Sequence, residues 1–159
     1  MLSFWQGEGV NRYHEQLGLI ISLMSKSQAH RIYSLADLDR RIYPAIRHRQ
    51  LLFAYDHYMR IVGCFTWANL TNYVAGQLLS GVTLHESEWS EGALLTIVDF
   101  IAPFGHAIDI ASYIRERLFL DRNVIYSMPR PGHPRRITAW RRFRTDDRAT
   151  PGQMVVPPL

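Results

Sequence analysis

Asp99 lies in the middle of an apolar run, Leu94-Leu95-Thr96-Ile97-Val98-Asp99-Phe100-Ile101-Ala102-Pro103-Phe104-Gly105. The run reads as a buried strand that ends in a turn. A carboxylate buried there without a partner loses hydration that nothing replaces, so it needs a partner or a task. Strand alternation places Leu95, Ile97, Asp99 and Ile101 on one face, so Asp99 stands in for an apolar residue in a core-facing row. That pattern alone suits a structural carboxylate, paired with an arginine or capping a helix, as well as a catalytic one.

Histidine is the natural proton acceptor near neutral pH. The chain has seven: His14, His30, His48, His57, His85, His106 and His133. Composition does not choose among them. Ser27 lies three residues before His30, but proximity in sequence is weak evidence for a Ser-His pair. No HExxH, GxSxG, P-loop or dinucleotide-binding glycine pattern occurs. Cys64 is the single cysteine, which excludes an internal disulfide and a Cys-based zinc site and fits a reducing compartment. The junction Ala102-Pro103-Phe104-Gly105-His106-Ala107 has free amides of the kind that hold an anion or oxyanion. Trp67-Ala68-Asn69-Leu70-Thr71 reads as a packed tryptophan with Asn69 capping the next helix, or as a pocket wall with Asn69 as polar anchor.

The elements that must position these residues follow from periodicity. Residues 11–25 are expected to be helical, with Leu17, Ile20, Ile21 and Met24 on one face. Ser34-Leu35-Ala36-Asp37 resembles a capping box opening a short helix, and Pro44 opens a short turn. Residues 50–55 and 61–67 read as an antiparallel hairpin, 69–79 as a helix ended by Gly81, and 86–92 as a polar loop. The strand at 94–101 is followed by a helix over 106–118, a strand over 123–128, a Pro-rich loop and an edge strand over 136–143. This order predicts an α+β domain, a mixed and mostly antiparallel sheet flanked by helices, over residues 1–144. A loose C-terminal tail is expected over residues 145–159.

From Asp121 to the end there are eight arginines against three aspartates, more net charge than the whole chain's +4. Such a segment is a solvated basic face or a docking patch for an acidic partner. No nucleic-acid recognition motif is visible, and the aromatics do not interleave with the arginines as a stacking platform would, Trp140 and Phe143 aside. No apolar run reaches membrane-spanning length, and the N-terminus lacks a signal-peptide pattern, so a cytoplasmic protein is expected.

Five segments in register resemble the toxin-activating lysine acyltransferases, bacterial enzymes that fatty-acylate RTX pore-forming protoxins. They are Ser27-x-x-His30-Arg31, Pro44-Ala45-Ile46-Arg47-x-x-Gln50, Cys64-x-x-Trp67-Ala68-Asn69-Leu70, Glu88-Trp89-Ser90-x-Gly92 and Asp99-Phe100-Ile101-Ala102-Pro103-Phe104-Gly105. The resemblance runs from Leu17 to Leu118 and is loose in the C-terminal third. It implies a GNAT-like fold, acyl-carrier protein (ACP) as acyl donor, no bound cofactor or metal, and the ε-amine of an internal protoxin lysine as acceptor. It maps catalysis onto His30 and Asp99, with Ser27 also implicated, and suggests a homodimer. Trp67, Asn69, Phe104 and Gly105 are the expected substrate-binding residues. Arg130, Arg135, Arg136, Arg141, Arg142 and Arg144 are expected to dock the acidic carrier protein. The competing readings are a GNAT-like acyltransferase with another amine acceptor, and a non-catalytic module that docks acidic partners.

Overall fold

The computed structural model describes residues 2–5, 11–133 and 137–141. Six strands form one sheet in sequence order: β1 (Ser3–Trp5), β2 (Leu51–Tyr55), β3 (Ile61–Leu70), β4 (Leu94–Ile101), β5 (Val124–Ser127) and β6 (Thr138–Arg141). All neighbours are antiparallel except β4 and β5. Helices α1 (Asn11–Lys26), α2 (Leu35–Asp37), α3 (Tyr43–Arg47), α4 (Asn72–Leu79) and α5 (Ala107–Tyr113) flank the sheet. A π-helical turn, Leu38–Ile42, joins α2 to α3, and another, Ile114–Leu118, extends α5. The expected mixed, mostly antiparallel architecture is present; the three-residue β1 is an addition. The expected tail and the arginines at 135, 136, 142 and 144 lie outside the described residues. Among the described residues no helix is long and apolar enough to cross a membrane.

α1 buries Ile20, Leu23 and Met24 against the sheet face that carries Phe53, Cys64 and Ile101, while Ile21 turns to solvent. α5 covers the opposite face, packing Ile110 and Ile114 on Leu95 and Ile97. Ser34 caps α2 in a reciprocal box: its hydroxyl accepts from the Asp37 amide and the Asp37 carboxylate accepts from the Ser34 amide.

β4 departs from simple alternation. Thr66 pairs with Asp99, but Trp67 pairs with Ile97, so Val98 is an extra residue in the ladder. Such a bulge inverts the side-chain parity beyond it. Leu95 and Ile97 therefore face α5, whereas Asp99 and Ile101 face the α1–α3 layer, correcting the single row expected from alternation. β5 pairs with β4 only at Thr96–Tyr126 and Ile97–Ser127. Beyond the bulge the two strands part and a cleft opens between them.

The stretch read as a polar loop is a 3-10 helix, Glu86–Ser90, that buries Trp89 completely. Gln50 Nε2 donates to the Trp89 carbonyl and to Ser90 Oγ, both at 3.3 Å, tying the start of β2 to this helix. Gly92 donates its amide to the Asn69 carbonyl at 2.8 Å. A Cβ on Gly92 would overlap the Leu70 carbonyl and the Thr71 amide. Gly92→Ala is expected to cost about 1–3 kcal/mol through this backbone overlap, read as a lower Tm with the folded circular-dichroism spectrum retained.

Candidate active site

Past the end of α1 the chain continues in tight turns. The Ser27 carbonyl accepts from the His30 and Arg31 amides, and the His30 carbonyl accepts from the Tyr33 amide. Three-residue spacing in such turns lines up Ser27, His30 and Tyr33 on one side. That side faces Asp99. Ser27 Oγ is 2.8 Å from His30 Nδ1, and His30 Nε2 is 4.0 Å from Asp99 Oδ1. His30 and Asp99 are both buried, at 3% and 2% exposure, so these groups meet in a site largely closed to bulk water.

Asp99 is not held by His30. Tyr33 donates its hydroxyl to Asp99 Oδ1 at 2.6 Å. Arg41, from the first π-helical turn, grips the carboxylate with two donors: Nε to Oδ2 at 3.2 Å and Nη2 to Oδ1 at 3.0 Å. Arg41 Nη2 also donates to the Val98 carbonyl at the bulge, at 3.1 Å, and the Asp99 amide donates to Thr66 Oγ1 at 3.0 Å. The carboxylate thus has the partner its burial demands, and that partner is an arginine.

The electrostatics follow from this arrangement. Burial pushes the Asp99 carboxyl up, but the Arg41 charge and hydrogen bonds, with help from Tyr33 and His30, outweigh it and hold it below the usual carboxylate range. Burial lowers His30 below its ordinary value; Asp99 opposes this, while Arg41 and Arg130 add to it. His30 is therefore a neutral base at physiological pH. Tyr33 is driven up by burial and by Asp99, so it stays a protonated donor.

His30 lies on the wall between two cavities. A polar one of about 540 Å³ is lined by Lys26, Ser27, His30, Arg130 and His133 among others. A larger one of about 780 Å³ occupies the parting of β4 and β5, with Val98, Phe100, Met128 and Trp140 among its walls. Ala107 and Ile108, at the start of α5, also line the larger one. Among the described residues no group of three or more His, Cys, Asp or Glu side chains is placed to hold a metal ion.

The structure brings together Ser27, His30 and Asp99, and Arg130 joins them at both cavities. It does not bring Trp67 or Asn69 there. Trp67 packs with Phe65 and Phe119 on the α5 face, and neither residue lines the cavities at His30. Asn69 lies inside β3, and Thr71 caps α4 instead, accepting from the Val74 amide. Phe104 is half exposed, and Gly105 has a φ of +86° in the turn after β4. Of that junction Ala102 and Pro103 reach the polar cavity, and neither Phe104 nor Gly105 does. Arg141 is exposed on β6. Tyr33, Arg41 and Thr66 belong to the site without having been singled out from the sequence. The His30-x-x-Tyr33 spacing was the one available sign; Arg41 had none among so many arginines.

Comparisons with known proteins identify the fold and the family. A solved structure, the loading GNATL domain of CurA from Lyngbya majuscula, superposes with a TM-score of 0.52 at 11% identity, covering 80% of this chain and 64% of that one, which identifies the fold as GNAT-like. The lysine-acyltransferase RtxC of Vibrio cholerae is 33% identical over 107 residues, 67% of this chain and 70% of that protein. The leukotoxin-activating lysine-acyltransferase LktC of a Pasteurella haemolytica-like species is 33% identical over 60% of this chain and 58% of its own length. The RTX-II toxin-activating lysine-acyltransferase ApxIIC of Actinobacillus pleuropneumoniae is 32% identical over 66% of each. The model of the RTX toxin acyltransferase family matches residues 10–141, which include every group in the site, and the chain belongs to that family.

Proposed function

We propose that this protein moves a fatty acyl group from the thioester of acyl-carrier protein to the ε-amine of an internal lysine on an RTX-type protoxin. The observation that carries the reading is the placement of His30, hydrogen-bonded to Ser27 and facing Asp99, between two cavities where β4 and β5 part. The family supplies the reaction class.

Only a neutral amine attacks a thioester, so the lysine ammonium first gives one proton to solvent, and the free amine then loses a second as it becomes an amide. With His30 Nδ1 donating to Ser27 Oγ, the Nε2 lone pair is free to take that proton. The amine nitrogen bonds to the acyl carbon, the carbon–sulfur bond breaks, and the carrier thiolate departs and recovers the proton from His30. Asp99, at 4.0 Å, stabilises the transient imidazolium by charge rather than by a hydrogen bond. Ser27, hydrogen-bonded to Nδ1, orients the ring for this step. The cleft between β4 and β5 suits the acyl donor: unpaired strand edges can meet the amides of a pantetheine arm, and Phe100, Met128 and Trp140 offer apolar wall to the chain.

Cys64 is completely buried and its thiol is pushed up by burial and by Asp99. It makes a poor thiolate, so transfer runs directly and not through a cysteine acyl-enzyme. Cys64→Ala is expected to keep the transfer rate within about twofold, measured by product mass. The reading as a whole is tested by incubating the protein with acyl-ACP and a candidate RTX protoxin. Intact mass should rise by one acyl group, mapped to a lysine; an unshifted protoxin, with the acyl group found on a small amine instead, would contradict it.

A further inference from the structure

The polar cavity at His30 has a charge pattern that the transfer step does not use. Lys26 ends α1 and lines this cavity alone of the two; Arg130 and His133, from the loop after β5, border it beside Ser27 and His30 and border the larger cavity as well. Among the described residues none of its lining side chains is a carboxylate, and none of these three makes an ion pair. A cation at the end of α1 is explained by the exposed carbonyls there. That account does not reach Arg130 or His133, which arrive from a different segment.

We propose that this cavity is the port through which the acceptor lysine reaches His30, and that Lys26 and Arg130 recognise an acidic residue adjacent to that lysine. The proposal rests on the acyltransferase reading and names its acceptor class. A lone lysine cation entering between two like charges is repelled; a neighbouring carboxylate brings the opposite charge with it. The lysine tip must end at His30 Nε2, so its peptide neighbours stay within one side-chain length of the cavity mouth, where Lys26 and Arg130 are exposed. A donor phosphate fits less well. An extended pantetheine arm separates its phosphate from its thioester by the whole arm, so both cannot sit beside His30. Arg130, expected to dock the carrier protein, borders both cavities and on this proposal serves the acceptor.

The test is fluorescence anisotropy with three labelled peptides, each with one central lysine flanked by Asp, by Asn or by Arg. The wild-type protein should bind the Asp-flanked peptide about tenfold more tightly than the Asn-flanked one, and the Arg-flanked one least. The preference should shrink with added salt. Lys26→Gln with Arg130→Gln should bind the Asp- and Asn-flanked peptides alike. Equal wild-type affinities, no binding of any peptide, or a preference that survives the double substitution would overturn the proposal. So would displacement of the Asp-flanked peptide by free 4′-phosphopantetheine alone, which would give the cavity to the donor. Acyl transfer to the same peptides is read separately by mass. Binding preference without transfer would strike the acyltransferase reading, and transfer without preference would strike this proposal alone.

Discussion

Arg41→Leu is expected to lower the stability of the protein at neutral pH by about 3–5 kcal/mol, because it leaves the buried Asp99 carboxylate without its cation. For a chain of this size that is a fall in Tm of about 10 °C or more. The pH dependence separates this cause from lost packing. In the wild-type protein Asp99 is held below its ordinary value of 3.8. The stability it contributes is therefore complete above the unfolded-state value and is lost only as pH falls through the lower folded value. Without Arg41, burial dominates and pushes the carboxyl above its unfolded value. The sign reverses: the variant should gain stability as pH falls from neutral towards 5, narrowing its gap to wild type. Arg41→Leu with Asp99→Asn should recover part of the loss, since an amide of the carboxylate's size removes the uncompensated charge and still accepts from Tyr33. Denaturant unfolding at two pH values checks all three statements. A single variant as stable as wild type, or a gap that does not narrow, would show that Arg41 is not what holds the carboxylate.

Asp99 was legible in the sequence because a carboxylate in an apolar run is conspicuous on energetic grounds alone. Its partner was not. Arg41 follows another arginine in a polar stretch, and the π-helical turn that aims it at β4 leaves no mark in residue types. The face that Asp99 occupies was misread for a related reason. The bulge at Val98 shifts the alternation by one residue inside an unbroken apolar segment, where any register looks equally apolar. Trp67 illustrates the opposite failure. A tryptophan at the end of a hairpin suits a pocket wall as well as a core, and only the run of β3 to Leu70 decides for the α5 face. The sheet, α1, α4 and α5 were readable because their periods are clean and their ends carry turn residues. Glu86–Ser90 was missed because its polar surface hides one buried tryptophan.

His30→Ala is expected to lower acyl transfer by about 10²–10⁴-fold, the range for removing a positioned proton acceptor. The protein should remain folded, because Asp99 keeps both Arg41 and Tyr33. Burial and the nearby guanidinium groups place the acid limb of the wild-type kcat profile below 6.5, the ordinary histidine value. Arg41 opposes the imidazolium and Asp99 favours it, so neutralising Asp99 alone should move that limb lower still. The most direct measurement is the rate of protoxin acylation from acyl-ACP, followed by intact mass for wild type, His30→Ala and Cys64→Ala in parallel. The structure predicts near-wild-type transfer for Cys64→Ala and loss of transfer for His30→Ala. Loss with Cys64→Ala and retention with His30→Ala would contradict it.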